Sequence, residues 1–251
     1  MDLGLEGKAA IVTGASRGIG RAIALTFAAE GCDLAICARG GAALAEAAEE
    51  IRARGAAVHA QVCDVSDAAA LDAFLDGARA ALGRIDILIN NASAIDMGSD
   101  DSAWRTNFEV DVLAPVRASE RVVPWLRERG GGAIVHLSST AALEAPTPPP
   151  YSALKAALIS FSKNQAVALA PENIRVNTVA PGCIDFPGGM WDEIHRRDPG
   201  TYDEMVATIP GGRMGTDQEI ADVVAFVASE RARWLRGALI SVDGGQHKAN
   251  L

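Results

Sequence analysis

Tyr151 and Lys155 stand four residues apart, so on a helix they share one face. A tyrosine titrates near ~10 when unperturbed and is a weak base at neutral pH. An ammonium beside it stabilises the phenolate and lowers that value. The phenolic oxygen can then exchange a proton with a substrate hydroxyl or carbonyl. Two serines, Ser138 and Ser139, close the β-rich run that comes before this pair. A second motif, Thr13-Gly14-Ala15-Ser16-Arg17-Gly18-Ile19-Gly20, links the first β-rich run to a helical one. Its glycines allow a tight turn and close backbone approach. The helix N-terminus behind them offers free N–H groups and a positive dipole end to a pyrophosphate.

The nature of the nucleotide is read at the end of the second β-rich run. Proteins that bind a dinucleotide without a 2′-phosphate usually place a carboxylate there for the ribose 2′-OH. Here the run ends in Cys37-Ala38-Arg39-Gly40-Gly41, with no acid before Glu46. Arg39 and Arg17 make a two-cation clamp for a 2′-phosphate. NADP(H) is therefore expected over NAD(H).

The elements that must position these residues alternate. Strands are predicted at Ala9–Thr13, Asp33–Ala38, Ala57–Val62, Ile85–Asn90, Ala133–Ser138, Arg175–Ala180 and Ala238–Val242. Several are nearly continuous apolar runs, as parallel strands buried on both faces require. Helical patterns fall between them at Ile19–Glu30, Ala42–Arg54, Ala68–Leu82, Ser102–Arg129, Tyr151–Leu169 and Asp217–Ser229. This βαβ alternation predicts an α/β fold: a Rossmann-like, doubly wound, seven-stranded parallel sheet with helices on both faces. No linker or repeat divides residues 1–251, so one domain is expected. Two irregular stretches follow strands and are candidate pocket walls: Pro146-Thr147-Pro148-Pro149-Pro150, and a substrate-binding loop over about 182–215. Phe186, Met190, Trp191, Tyr202 and Met205 in that loop would line an apolar pocket or simply cover the sheet.

Composition narrows the function. The chain has 251 residues with 23 basic against 32 acidic, a net charge of -9 that argues against general nucleic-acid binding. No stretch approaches the ~20 apolar residues of a membrane span, and the N-terminus lacks the basic and apolar regions of a secretion signal. Cys32, Cys37, Cys63 and Cys183 show no CxxC spacing, so neither a zinc site nor a disulfide framework is expected and a reducing cytoplasm fits. His59, His136, His195 and His247 are scattered without metal spacing.

Five motifs in order carry a family resemblance over essentially the whole chain. They are the TGxxxGxG turn, Asn90-Asn91-Ala92, Tyr151-Ser152-Ala153-Leu154-Lys155, Pro181-Gly182 and Val242-Asp243-Gly244-Gly245. The sequence resembles the short-chain dehydrogenase/reductase family. That resemblance implies hydride transfer between a nicotinamide and a carbonyl or secondary alcohol, in the manner of a ketoreductase or 3-oxoacyl reductase. Tyr151 is then the proton donor or acceptor, Lys155 also holds the nicotinamide ribose, and a serine polarises the substrate oxygen. A thirteen-residue count back from Tyr151 selects Ser138; the register of the strand motif selects Ser139, which we prefer. The resemblance places the cofactor on Gly14, Ser16, Arg17, Gly18, Ile19, Gly20, Arg39, Asp64, Val65, Asn91, Ala92, Tyr151, Lys155, Pro181, Gly182 and Ile184. It also implies a homotetramer or homodimer, with Ala156, Ala157, Ile159 and Phe161 as interface positions.

Three positions depart from the family pattern. Ser93 stands where a glycine usually follows Asn-Asn-Ala, and Asp185-Phe186-Pro187 replaces the usual threonine after Pro181-Gly182. Asp111 occupies the place of the helix asparagine that anchors a proton-relay water; Asn107 lies one helical turn too early. An aspartate there accepts hydrogen bonds from water and pairs with Lys155. Two other functions are open: an NAD-dependent alcohol or sugar dehydrogenase of the same family, and a cofactor-binding sensor or scaffold without turnover.

Overall fold

The structure is a computed structural model that describes residues 2–145 and 148–249. The first half runs β1 (Ala9–Thr13), α1 (Gly18–Ala29), β2 (Asp33–Ala38), α2 (Gly41–Arg52), β3 (Val58–Val62), α3 (Ala68–Leu82) and β4 (Ile87–Asn90). It continues through α4 (Asp101–Asn107), α5 (Ala114–Glu128), β5 (Gly132–Leu137), α6 (Pro149–Leu169) and β6 (Ile174–Pro181). The last part holds β7 (Ile184–Asp185), α7 (Met190–Arg197), α8 (Pro199–Thr208), β8 (Gly215–Thr216), α9 (Asp217–Ala228) and β9 (Leu239–Val242).

Seven strands form one parallel sheet in the order β3-β2-β1-β4-β5-β6-β9. The chain walks outward from β1 to β3, then returns to lay β4 on the other side of β1. That reversal opens a crevice at the carboxyl ends of β1 and β4, where ligands of open α/β sheets bind. Each sheet face buries its own apolar cluster. Val12, Ile23, Phe27, Ile36, Ile89 and Val224 belong to one, and Ile11, Leu71, Phe74, Leu88, Val122 and Val176 to the other. Odd and even residues of β1 thus serve opposite faces, as the pleat dictates. Local sequence fixes the helix ends. Asp67 caps α3 through the Ala69 and Ala70 N–H groups, and Thr216 with Glu219 forms a reciprocal box at α9.

Two expectations need correction. The pattern Ser102–Arg129 is not one helix: between α4 and α5 the segment Phe108–Leu113 takes the wider i→i+5 winding of a π-helix. Pro115 supplies the reason. It has no N–H to give to the carbonyl four residues back, that of Asp111, so the regular ladder cannot close there. The stretch 182–215 is not a loop but mostly helix, in α7 and α8. Neither helix has a buried residue; they pack against each other, and α7 against β7. In the proline stretch, Pro148–Pro150 lead into the first turn of α6, and Pro146 and Thr147 lie outside the described residues.

Candidate active site

The end of β4 is stitched to the turn after β1. Thr13 Oγ1 accepts from the N–H groups of Asn91 and Ala92 at 3.0 and 3.1 Å. Asn91 Nδ2 donates to the carbonyls of Thr13 and Gly14 at 2.8 and 3.1 Å. Only glycine leaves room for this. A Cβ on Gly20 would sit 2.3 Å from the Gly14 carbonyl oxygen and 2.4 Å from Asn91 Nδ2. Helix α1 begins on Arg17 without a side-chain cap, so its first N–H groups are open to an anion.

The cation clamp is differently engaged from the sequence expectation. Arg17 Nη1 donates to the Gly188 carbonyl at 2.7 Å, tying the turn to the segment that leads into α7. Arg39 is exposed at the end of β2. It helps hold the Asp64 carboxyl below the usual range, after the larger effect of hydrogen bonds from Ser66. Val65 is buried just beyond. Pro181 ends β6, Gly182 packs against Asp243 and Gln246, and Ile184 is buried in β7. Phe186 lies over the turn itself: a Cβ on Gly18 would fall 2.4 Å from its ring.

The catalytic candidates converge at the carboxyl ends of β4 and β5. Helix α6 carries Tyr151, half-buried, and Lys155, 2% exposed. Lys155 Nζ donates to the Leu137 carbonyl at 2.9 Å and pairs with Asp111 Oδ1 at 3.0 Å. It lies 5.8 Å from the centre of the Tyr151 ring. Burial alone would depress this ammonium, but Asp111 and Tyr151 outweigh it and hold the lysine above its ordinary value. Asp111 sits in the π-turn, buried to 1% exposure, and its Oδ2 accepts from Ala94 N–H at 3.3 Å.

The two serines are distinguished by their bonds. Ser138 is buried and donates its hydroxyl to the Lys155 carbonyl at 2.9 Å, pinning β5 to α6. Ser139 is half-buried and accepts from Ala141 N–H at 3.1 Å, which leaves its proton free to donate.

Sequence reasoning missed the supporting shell. Asn107, fully buried, grips the loop after β4: it donates to the Asp96 and Ala103 carbonyls and accepts from Asp96 N–H. Beneath the site, His136 bridges Asn90 Nδ2 and Gln165 Oε1, each at 3.2 Å. Burial pushes its pKa down to about 4, so the ring is neutral, and the pattern fits a proton on Nε2. Tyr202 stacks on His195 and donates to Asp185 Oδ2 at 3.0 Å, and Arg196 pairs with Asp192 in the last turn of α7. Among the described residues, no cluster of His, Cys, Asp and Glu has metal-binding geometry.

A parallel dinucleotide-type sheet bearing a tyrosine–lysine pair at the carboxyl ends of its strands defines a class: oxidoreductases acting on CH–OH and C=O groups with a nicotinamide cofactor. A family model described as enoyl-(acyl carrier protein) reductase matches residues 14–247. A 3-oxoacyl-[acyl-carrier-protein] reductase of Staphylococcus aureus is 36% identical over 248 residues, 96% of this chain and 98% of that protein. The L-sorbose reductase of Gluconobacter frateurii, complexed with NADPH and L-sorbose, has a TM-score of 0.90 at 36% identity, covering 99% of this chain and 100% of that one. A 7α-hydroxysteroid dehydrogenase complexed with NADH and 7-oxo glycochenodeoxycholic acid has a TM-score of 0.87 at 33% identity, covering 97% and 96%. The chain belongs to the short-chain dehydrogenase/reductase family.

Proposed function

We propose that this protein is an NADP(H)-dependent ketoreductase in which Tyr151, Lys155 and Ser139 do the chemistry. The observation that carries the reading is the buried Lys155 ammonium, fixed by Asp111 at 3.0 Å and set 5.8 Å from the Tyr151 ring. Residues of the turn, Gly14, Ser16, Gly18, Ile19 and Gly20, would hold the pyrophosphate on the open start of α1. Arg17 and Arg39 would meet the 2′-phosphate, Asp64 and Val65 the adenine edge. Asn91, Ala92, Pro181, Gly182 and Ile184 would frame the nicotinamide half. A buried polar atom fits this placement. Ser93 Oγ, directly after Ala92, is buried and has no hydrogen-bond partner among the described residues.

When bound, the nicotinamide supplies or takes the hydride. The protein's own residues handle the oxygen and the proton. Ser139 donates to the substrate oxygen and polarises the carbonyl. Tyr151 gives the proton from its phenol as that oxygen gains charge, and takes it back in the reverse direction. Lys155 stabilises the phenolate that remains. Asp111 keeps the ammonium in place; without a carboxylate there, burial would favour the neutral amine.

The protein is placed in the cytoplasm, with its four cysteines as free thiols, and works as a homodimer or homotetramer. Exposed Trp104 on α4, Phe108 at the start of the π-turn and Val167 on α6 support an assembly face. Titration with NADPH and NADH, followed by a ketone and alcohol panel, tests the function. Tight NADPH binding and turnover that vanishes in Tyr151→Phe is the expected result. Preference for NADH would remove the arginine clamp, and binding without turnover would favour a sensor.

A further inference from the structure

After β9 the chain turns back across the carboxyl ends of the sheet. The register of β5 on β6 pairs Leu137 with Val179, and that of β6 on β9 pairs Pro181 with Val242. Ser139 continues β5 in an extended conformation, so it stands level with Pro181, and Val242 stands one strand further out. At the usual strand spacing Val242 is roughly 10 Å from Ser139. Gly244 and Gly245, at φ +64° and +82°, then reverse the chain. Its return path is fixed at two points. Gln246 Oε1 accepts from Cys183 N–H at 2.9 Å, and Gln246 Nε2 donates to Cys183 Sγ at 3.1 Å. Lys248 N–H donates to Glu144 Oε2 at 3.1 Å, in the segment between Ser139 and Tyr151. The tail thus runs from the strand end proposed to frame the nicotinamide to the loop that begins at the proposed catalytic serine.

His247 lies between these two anchors. Its backbone N–H donates to Asp243 Oδ2 at 2.9 Å, and its Nδ1 meets the same oxygen. Burial alone would raise the Asp243 carboxyl, but hydrogen bonds from His247 and Gly245 outweigh it and hold the group below its ordinary value. An ionised carboxylate there assigns a ring proton to Nδ1. In the neutral ring Nε2 then carries a lone pair, and it has no partner among the described residues. The side chain is 16% exposed and Nε2 is not sealed from solvent. The tail therefore carries an oriented acceptor beside the reacting groups, and the proposed mechanism has no use for it. A hydroxyl is the group that such an acceptor fits.

We propose that His247 is a substrate-binding residue that accepts a hydrogen bond from a hydroxyl near the reacting carbonyl, so that the substrate is a hydroxyketone or, in reverse, a diol. Asp243 is the positioning residue that fixes the ring and its tautomer. The inference rests on the ketoreductase reading and narrows its substrate class.

The test compares hydroxyacetone with butanone, and 4-hydroxy-2-butanone with 2-pentanone. Within each pair a hydroxyl replaces a methyl group. The wild type should prefer the hydroxyketone of at least one pair by about tenfold or more in kcat/KM. His247→Asn keeps an amide N–H for Asp243 and removes Nε2. In that variant the preference should collapse to within about threefold, chiefly through a higher KM for the hydroxyketone. His247→Gln returns an amide near the place of Nε2 and should recover part of the preference. NADPH affinity, read by fluorescence titration, should stay within about twofold in both variants. A wild-type preference for the methyl analogue in both pairs would overturn the proposal. So would a preference that survives His247→Asn, or equal losses on both members of each pair, which would make His247 a structural fastening of the tail. Absence of wild-type turnover on these four ketones and on a wider ketone panel, with NADPH bound, would instead bring down the ketoreductase reading, and this proposal with it.

Discussion

Asp111 Oδ1 lies 3.0 Å from Lys155 Nζ, and both side chains are sealed from solvent. Removing one partner of such a pair strands the other charge. Asp111→Ala is expected to cost about 3–5 kcal/mol of stability, read by denaturant unfolding at neutral pH. Asp111→Asn keeps an acceptor for Ala94 N–H and should cost less. The pH dependence follows from the raised lysine. Its stabilising contribution is complete below its ordinary value of 10.5 and is lost as pH climbs through the higher folded value. Asp111→Asn should therefore unfold at a lower alkaline pH than the wild type. An unchanged alkaline midpoint would separate the pair from stability.

The Phe186 ring occupies space directly over Gly18, the turn residue proposed to meet the pyrophosphate. A phosphate seated against Gly18 would compete with this ring for space, and binding is predicted to move the ring toward water. Exposing part of an aromatic side chain costs about 1.5 kcal/mol, close to a factor of ten in affinity. Phe186→Ala is expected to bind NADPH roughly tenfold more tightly in a fluorescence titration. Equal or weaker affinity would mean that the ring stays in place beside the ligand.

The sheet and the tyrosine–lysine pair were legible because they depend on short-range pattern. Apolar runs of strand length, separated by helical periodicity, settle a parallel α/β architecture with little help from distant contacts. A four-residue spacing places Tyr151 and Lys155 on one face of α6 whatever else the chain does. The misread parts depend on backbone accounting or on distant partners. The π-turn at Asp111 had a readable cause, since Pro115 removes the donor that the Asp111 carbonyl needs, but hydrophobic periodicity runs straight through it. The bond from Arg17 to the Gly188 carbonyl had no signal either, because it joins residues far apart in sequence. The turn at Ile95 has no local signal at all: two clamps from the following helical segments impose it.

The two serines make opposite predictions. Ser139 has a hydroxyl proton free to donate, whereas Ser138 has given its own to the Lys155 carbonyl. Ser139→Ala should lower kcat by about 10²–10³, the usual loss of one oxyanion-type donor, with NADPH binding retained. Ser138→Ala should keep most turnover and lose about 1 kcal/mol of stability for the missing hydrogen bond. A reversal of these two outcomes would assign the role to Ser138 and to the thirteen-residue spacing.

His136 should dominate the acid side of the stability curve. Its ring is fully buried between Asn90 and Gln165, and burial lowers its pKa from 6.5 to about 4. Between those values the unfolded chain binds a proton that the folded one refuses, so stability falls as pH drops from 6.5 to about 4. The two values differ by enough to cost about 3 kcal/mol across that window. His136→Asn keeps polar atoms toward both neighbours and has nothing to titrate. Its unfolding free energy, measured by urea titration at several pH values, should be lower than the wild type at neutral pH and flatter between pH 6.5 and 4. If the variant keeps the wild-type slope, carboxylates rather than this histidine set the acid limit, and the site beneath Ser139 and Lys155 tolerates a charged ring.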